Sequence, residues 1–269
     1  SGHRSRIFLP PMTAPSPNIP DFSAIDVWVF DLDNTLYSPS CNLFSQIDVK
    51  MKAFIGDLLQ VDPDEAHRLQ KEYYRDHGTT LSGLMKLHDV PPKKFLDYVH
   101  DIDVSVIPPN PALAVALERL PGRRLVFTNG TVAHATRVLT QIGIHDHVED
   151  IFDIVHADYV PKPNVATFKR FLETHGIEPE RAAMFEDLDR NLEPAHALGM
   201  TTVLVRSAEG HADPAVRSWG EPSPTAAHAT DIHAWNPHDT LDVQAIRRDI
   251  ELEVGDDRLI LRTARFRET

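Results

Sequence analysis

Two aspartates set one residue apart, Asp31 and Asp33, close the apolar run in "VWVFDLDNTLY", and Asn34 and Thr35 follow. Like charges at the end of a buried segment repel, so they either serve a turn, where aspartate is common, or do separate chemical jobs. Three more polar groups follow short apolar runs. They are Thr128 and Asn129 after "RRLVF", Lys162 in "YVPKPN", and Glu186 with Asp187 in "MFEDLDRN". Singly, each has an ordinary structural reading. A Thr-Asn pair before glycine caps a turn, a lysine between prolines sits in an exposed loop, and an acidic run opens a helix.

Jointly they ask for more. Open α/β sheets bind ligands beyond the carboxyl ends of their strands, and four carboxylates gathered there repel unless a cation sits among them. Oxygen donors with no Cys or His beside them favour Mg²⁺. A hydroxyl, a backbone turn and one lysine are the parts that hold a phosphoryl group's oxygens. The set reads as a metal-assisted cradle for a phosphate dianion.

The elements that must position these groups alternate. "VWVFDLD", "RRLVFTN", "FDIVHA", "AAMFED" and "TTVLVR" are short, apolar and bounded by polar residues, as strands of a buried parallel sheet are. Between them "PALAVALERL", "TVAHATRVLTQIG", "NVATFKRFLETHG" and "LEPAHALG" have helical spacing, several closing on glycine (Gly143, Gly176, Gly199). The alternation predicts an α/β fold, a doubly wound parallel sheet of Rossmann-like form.

One stretch, from about Asn42 to Val106, is helical throughout. Leu43, Phe44, Ile47, Met51, Phe54, Ile55, Leu58 and Leu59 fall on one stripe. Asp62, Pro63 and Glu65 then supply the N-cap, first turn and capping box of a second helix. The expected domains are a catalytic core over 24–40 and 107–232, and an all-helical cap over 41–106 inserted after the first strand. Residues 1–23 are expected to be a disordered lead, since their Pro-rich start lacks the apolar region of a secretory signal. Residues 233–269 form a tail of no assigned role, with a short strand expected at "HATDI" and a hairpin around "GDD".

Composition narrows the partners. A formal charge of −13 over 269 residues disfavours a nonspecific grip on nucleic acid or an anionic membrane. Cys41 is the only cysteine, which excludes an intrachain disulfide and fits a cytoplasmic setting. No apolar run reaches the length of a membrane helix. The partner expected is a small-molecule phosphate ester, bound by a monomer or homodimer. The scattered histidines, including His145 and His147, read as solvated loop residues.

"DLDNTLY", "FTNG", "PKP" and "FEDLDRN" resemble, in order and spacing, the four motifs of the haloacid dehalogenase-like (HAD) hydrolase superfamily, over roughly Ile25 to Ser207. The helical insert resembles that superfamily's C1-type cap. "DNTLY", "GTTLSGL" and "FED…N" are most similar to its pyrimidine 5′-nucleotidase branch. The resemblance implies an Mg²⁺-dependent phosphomonoesterase in which Asp31 is the nucleophile, forming an aspartyl-phosphate. Asp33 then acts as acid and base. Thr128 and the Asn129 backbone N–H hold phosphate oxygens, and Lys162 neutralises the phosphoryl group and Asp31. The metal would take a carboxylate oxygen of Asp31, the backbone carbonyl of Asp33, and Asp187.

Glu186 stands where many members have glycine and is placed behind Asp187, acting through water. Asn191 stands where many have aspartate, which argues against a third direct carboxylate there but leaves an amide able to orient a metal-bound water. Asp33 disfavours a dehalogenase, which lacks the second acid. Sugar-phosphate or phosphoglycolate phosphatases, a β-phosphoglucomutase-like phosphotransferase and a non-catalytic metabolite-binding protein stay as alternatives. Substrate choice is expected in the cap, at Thr79 and Thr80 of "HGTTLSGL", where either threonine could instead cap a helix. Tyr37 could stack on a base or pack against the cap.

Overall fold

The apolar run ahead of Asp31 folds as β1 (Val27–Phe30), buried along its length. The computed structural model describes residues 22–206 and three later strands, Thr230–His233, Ile250–Gly255 and Arg258–Thr263. In it β1 lies inside a six-stranded sheet. On one side are β2 (Arg123–Phe127) and then β3 (Asp150–Phe152). On the other are β4 (Ala182–Glu186), β5 (Thr201–Arg206) and β6 (Thr230–His233). Every pairing is parallel. Such a sheet needs cover on both faces, and alternate residues of β1 meet it. Trp28 and Phe30 join one apolar cluster with Phe185 and Leu139, while Val27 and Val29 join another with Phe168 and Met184.

Strand order reverses between β1 and β4, which opens a crevice at their carboxyl ends. β1 stops at Phe30, so both aspartates stand in the turn beyond it. That turn is completed by Asn34 at φ 65°, a left-handed conformation that asparagine tolerates better than most residues. The third strand differs from the expected "FDIVHA". It starts at Asp150 and ends at Phe152, because the Asp153 carboxylate turns back to accept the N–H groups of Val155 (3.0 Å) and His156 (2.9 Å). A local side chain outcompetes the ladder there.

Between β1 and β2 run α1 (Leu43–Leu59), α2 (Pro63–His77), α3 (Thr80–His88) and α4 (Pro92–Val99). The stripe of α1 buries Leu43, Ile47, Phe54 and Ile55, with Leu58 at its exposed margin. Buried Asp48 fastens α1 to α2, taking Gln70 Nε2 at 2.8 Å and Lys71 at 3.3 Å, and also pairs with Lys52 at 3.0 Å. Asp62 caps α2 through the Glu65 N–H at 2.9 Å, and the Glu65 carboxylate turns to Arg68. α3 lies so close to α2 that a Cβ at Gly83 would come 2.4 Å from Tyr73 Cβ, so only glycine fits there.

The remaining helices are α5 (Pro111–Arg119), α6 (Val132–Ile142), α7 (Val165–His175) and α8 (Asp189–Ala197), the last beginning before the expected "LEPAHALG". Phe22 stacks on Trp28, ring centroids 5.9 Å apart, so core packing begins inside the stretch expected to be a lead. The disorder expected of residues 1–21 lies outside the described residues. β6 falls on "HATDI", and β7 (Ile250–Gly255) pairs antiparallel with β8 (Arg258–Thr263), as the "GDD" signal suggests. Among the described residues no helix is long and apolar enough to cross a membrane.

Candidate active site

The ends of β1, β2 and β4 and the loop after β3 deliver their polar side chains to one cleft, roofed by α1–α4. Every residue expected at the site lines it: Asp31, Asp33, Thr128, Asn129, Lys162, Glu186, Asp187 and Asn191 from the sheet side, Thr79 and Thr80 from the helical insert. Its volume is about 180 Å³.

Lys162 forms the floor and is 1% exposed. Its Nζ donates to Asp31 Oδ1 (2.8 Å), Glu186 Oε1 (2.9 Å) and the Phe127 carbonyl (2.8 Å). An ammonium has three protons, so these acceptors use them all. The loop carrying it is held by Asn129, whose Oδ1 accepts the Lys162 N–H (2.8 Å) and whose Nδ2 donates to the Lys162 carbonyl (3.2 Å). Asn129 thus has a side-chain task that the motif, read for its backbone N–H, does not suggest. Thr128 Oγ1 accepts the Gly130 N–H at 2.9 Å, which leaves its own proton to donate. A Cβ at Gly130 would crowd both Thr128 Oγ1 (3.3 Å) and His134 Cδ2 (3.2 Å).

Asp31, Glu186 and Asp187 each bring a carboxylate oxygen within 4.8 Å of the others. Asp187 is partly exposed as a residue but turns its carboxylate inward to this group. Burial raises Asp31 to about 7 against the pull of Lys162. Burial, then the charges of Glu186 and Asp31, push Asp187 well above the usual carboxylate range. One lysine cannot offset three acids, and an all-oxygen donor set of this charge fits a hard divalent cation. Glu186 is the most engaged of the three. Besides Lys162 it takes the Asn191 Nδ2 on Oε1 and the Leu188 N–H on Oε2 at 2.7 Å. Asp31 and Asp187 are the more available donors. Asn191 Oδ1 is buried with no hydrogen-bond partner, a fit for a water in the coordination shell.

A pH effect on stability follows. The folded-state value for Asp31, about 7, lies above its ordinary 3.8. Between those values the folded chain keeps a proton that the unfolded chain has lost, so stability falls as pH rises through the window. In EDTA, Asp31→Asn should therefore gain on the parent protein between pH 4 and 7.5. At roughly 1.4 kcal/mol per pKa unit, the gain should reach a few kcal/mol. Denaturant titrations across that range would measure it, and a parent-variant difference independent of pH would contradict it.

Two residues meet Asp33, and a third stands behind them, in contacts that the motifs do not suggest. His134 Nε2 lies 3.0 Å from Asp33 Oδ1, and Tyr37 OH donates to the same oxygen at 2.8 Å. His100, at the end of α4, stacks on His134 with centroids 4.4 Å apart and planes 10° from parallel. Burial opposes the charge on Asp33, yet the His134 ring and the hydrogen bonds from His134 and Tyr37 hold it below the usual carboxylate value. Burial and the Asp33 charge likewise push Tyr37 well up. Among the described residues His134 is thus a fully buried histidine, unlike the solvated loop residues expected. The signal for it is its place on the apolar stripe of α6 with Val138 and Ile142. Tyr37 gives its hydroxyl to an aspartate, and its buried ring belongs to the apolar cluster that takes in Leu43 and Ile47 of the helical insert. Thr79 Oγ1 caps α3 through the Ser82 N–H (3.0 Å), and Thr80 Oγ1 donates to the Gln70 carbonyl (3.4 Å).

Residues 25–199 match the family described as haloacid dehalogenase-like hydrolase. The chain is similar to Phosphate metabolism protein 8 of Saccharomyces cerevisiae, 29% identical over 207 residues, covering 70% of this chain and 64% of the yeast protein. It thus spans less than two thirds of that relative's length. It is also similar to Glyceraldehyde 3-phosphate phosphatase of Methanocaldococcus jannaschii, 28% identical over 191 residues, covering 66% of this chain and 83% of the other. In fold it is similar to the crystal structure of a HAD phosphatase from Thermococcus onnurineus, with a TM-score of 0.50, 17% identity, and coverage of 77% and 92%.

Proposed function

The chain belongs to the haloacid dehalogenase-like hydrolase family, and from that membership we propose that it is a phosphomonoesterase acting on a small phosphate ester. The observation that carries this reading is the pairing of two carboxylates in unlike settings at one strand end. Asp31 is buried against Lys162, and Asp33 is turned to His134 and Tyr37. Asp31 attacks phosphorus and takes the phosphoryl group as an aspartyl-phosphate. Asp33, ionised in the free site, takes up a proton from solvent or from the incoming monoester, gives it to the departing ester oxygen, and regains one from the water that hydrolyses the intermediate. Thr128 donates its hydroxyl proton to a non-bridging oxygen, and Lys162 limits the charge built up on Asp31.

Asp31 and Asp187, with the Asp33 carbonyl, would hold Mg²⁺, and Glu186 and Asn191 would support them through water. When bound, such a cation supplies Lewis-acid withdrawal of charge from the phosphoryl oxygens.

The substrate proposed is a pyrimidine nucleoside 5′-monophosphate, on the strength of the "DNTLY", "GTTLSGL" and "FED…N" motifs. The name of the archaeal relative supports a second reading, a phosphorylated sugar or triose. Phosphate release from UMP, CMP, dUMP, AMP, GMP and glyceraldehyde 3-phosphate, with Mg²⁺, separates them. Pyrimidine nucleotides should have the highest kcat/KM. A purine or triose preference would overturn the nucleotide class, and no release from any ester would overturn the phosphatase.

A further inference from the structure

Arg190 lies on α8 and lines the cleft. The contact its guanidinium makes is with the ring of Tyr74, on α2, whose centroid lies 4.3 Å away. Among the described residues no carboxylate pairs with it. This is unusual for an arginine a few residues from three acids. Burial alone lowers its pKa, with no neighbouring charge to offset the effect. A half-buried cation whose side-chain N–H groups meet no carboxylate among the described residues loses hydration that a ring face returns only in part. Stacking occupies the face of a guanidinium and leaves its N–H edges for acceptors.

The stack also has a place. Tyr74, Gly78 and Thr79 line the cleft from the helical insert, and Arg190 lines it from the sheet side. A Cβ at Gly78 would meet Pro161 Cγ at 3.9 Å, so this edge of the insert sits over the loop that carries Lys162. A group held there would be near the phosphoryl site but outside the cluster of Asp31, Lys162, Glu186 and Asp187.

Resting on the phosphatase reading above, we infer that Arg190, backed by Tyr74, hydrogen-bonds a planar oxygen acceptor on the leaving group of the substrate and so selects which esters are bound. Two sources share that chemistry: the carbonyl edge of a pyrimidine base and a carboxylate on a short-chain ester. Arg190 is a specificity-determining residue in this assignment and takes no part in breaking the P–O bond.

The test compares kcat and KM of the parent, Arg190→Met and Arg190→Lys on three esters with Mg²⁺. UMP carries the carbonyl edge, phosphoglycolate carries a carboxylate, and phenyl phosphate has no acceptor beyond its phosphate. Arg190→Met should lower kcat/KM for UMP, for phosphoglycolate or for both by roughly 10–100-fold more than for phenyl phosphate, mainly through KM. Arg190→Lys should recover little of a fork-shaped contact. Which ester suffers identifies the source. An equal fall on all three esters, or none, overturns the assignment while leaving the phosphatase reading intact. A parent protein inactive on all three overturns both. Turnover of phenyl phosphate also reports that each variant is folded.

Discussion

Asp31→Asn should reduce phosphate release by roughly 10⁵-fold or more, the scale seen when an enzyme's nucleophile is removed. The substitution is nearly isosteric, and the amide oxygen can still accept from Lys162 Nζ, 2.8 Å from Asp31 Oδ1 in the parent. What disappears is the anionic oxygen that must displace the leaving group. The effect should lie in kcat, with KM changed little, because the groups that hold the phosphoryl oxygens stay in place. Brief incubation with phosphate-labelled substrate followed by an acid quench should leave label on the parent chain and none on the variant. A residual rate within tenfold of the parent would remove Asp31 from the role of nucleophile. The same variant should be the more stable protein in EDTA above neutral pH. Losing the reaction while gaining stability marks a strained functional group and separates this outcome from unfolding.

How much of this could be read from the chain alone depends on the range of the interaction concerned. The parallel sheet and its helices follow from local periodicity, and short apolar runs at the right spacing place β1, β2, β4 and β5 within a few residues. The third strand is misplaced because its end is set by one side chain, Asp153, capturing two backbone N–H groups. That choice is invisible in hydropathy. The cluster of Asp31, Lys162 and Glu186 is legible because each residue ends a strand or follows one, and a parallel sheet brings such ends together. Tyr37 and His134 are not legible in this way. Asp33, the partner of both, lies 101 residues from His134 in the chain, and only the packing of α6 against the turn after β1 brings that ring to it; Tyr37 is four residues away, but hydropathy does not tell that its hydroxyl turns to the carboxylate. Arg190 against Tyr74 is of the same kind, a contact between the helical insert and the sheet side that neither segment encodes locally.

Lys162→Met should be the most damaging change to the fold at this site. Methionine is similar in length, so the cavity is small, but Asp31 and Glu186 lose their common cation and the Phe127 carbonyl loses its donor. Removing one partner of a buried ion pair costs about 3–5 kcal/mol, and here one ammonium serves two acids. The cost should depend on pH in a definite direction. Burial already raises Asp31 to about 7, and Lys162 is the chief influence holding it down. Without the lysine, Asp31 takes up a proton at still higher pH, which relieves the repulsion. The variant should therefore be least stable near pH 8 and recover towards pH 5, and chemical denaturation at the two values in EDTA would show the difference. Activity should fall as well, by at least roughly 10²–10³-fold, as when one preorganised electrostatic donor is deleted. Combining the change with Asp31→Asn decides whether the two residues act as a unit. If they do, Asp31→Asn should stabilise the Lys162→Met protein at pH 8 by more than it stabilises the parent, because the repulsion left by the missing ammonium goes with the charge on Asp31. An equal gain in both backgrounds would mean that Lys162 supports the fold through Glu186 and the Phe127 carbonyl, and that its contact with Asp31 contributes little.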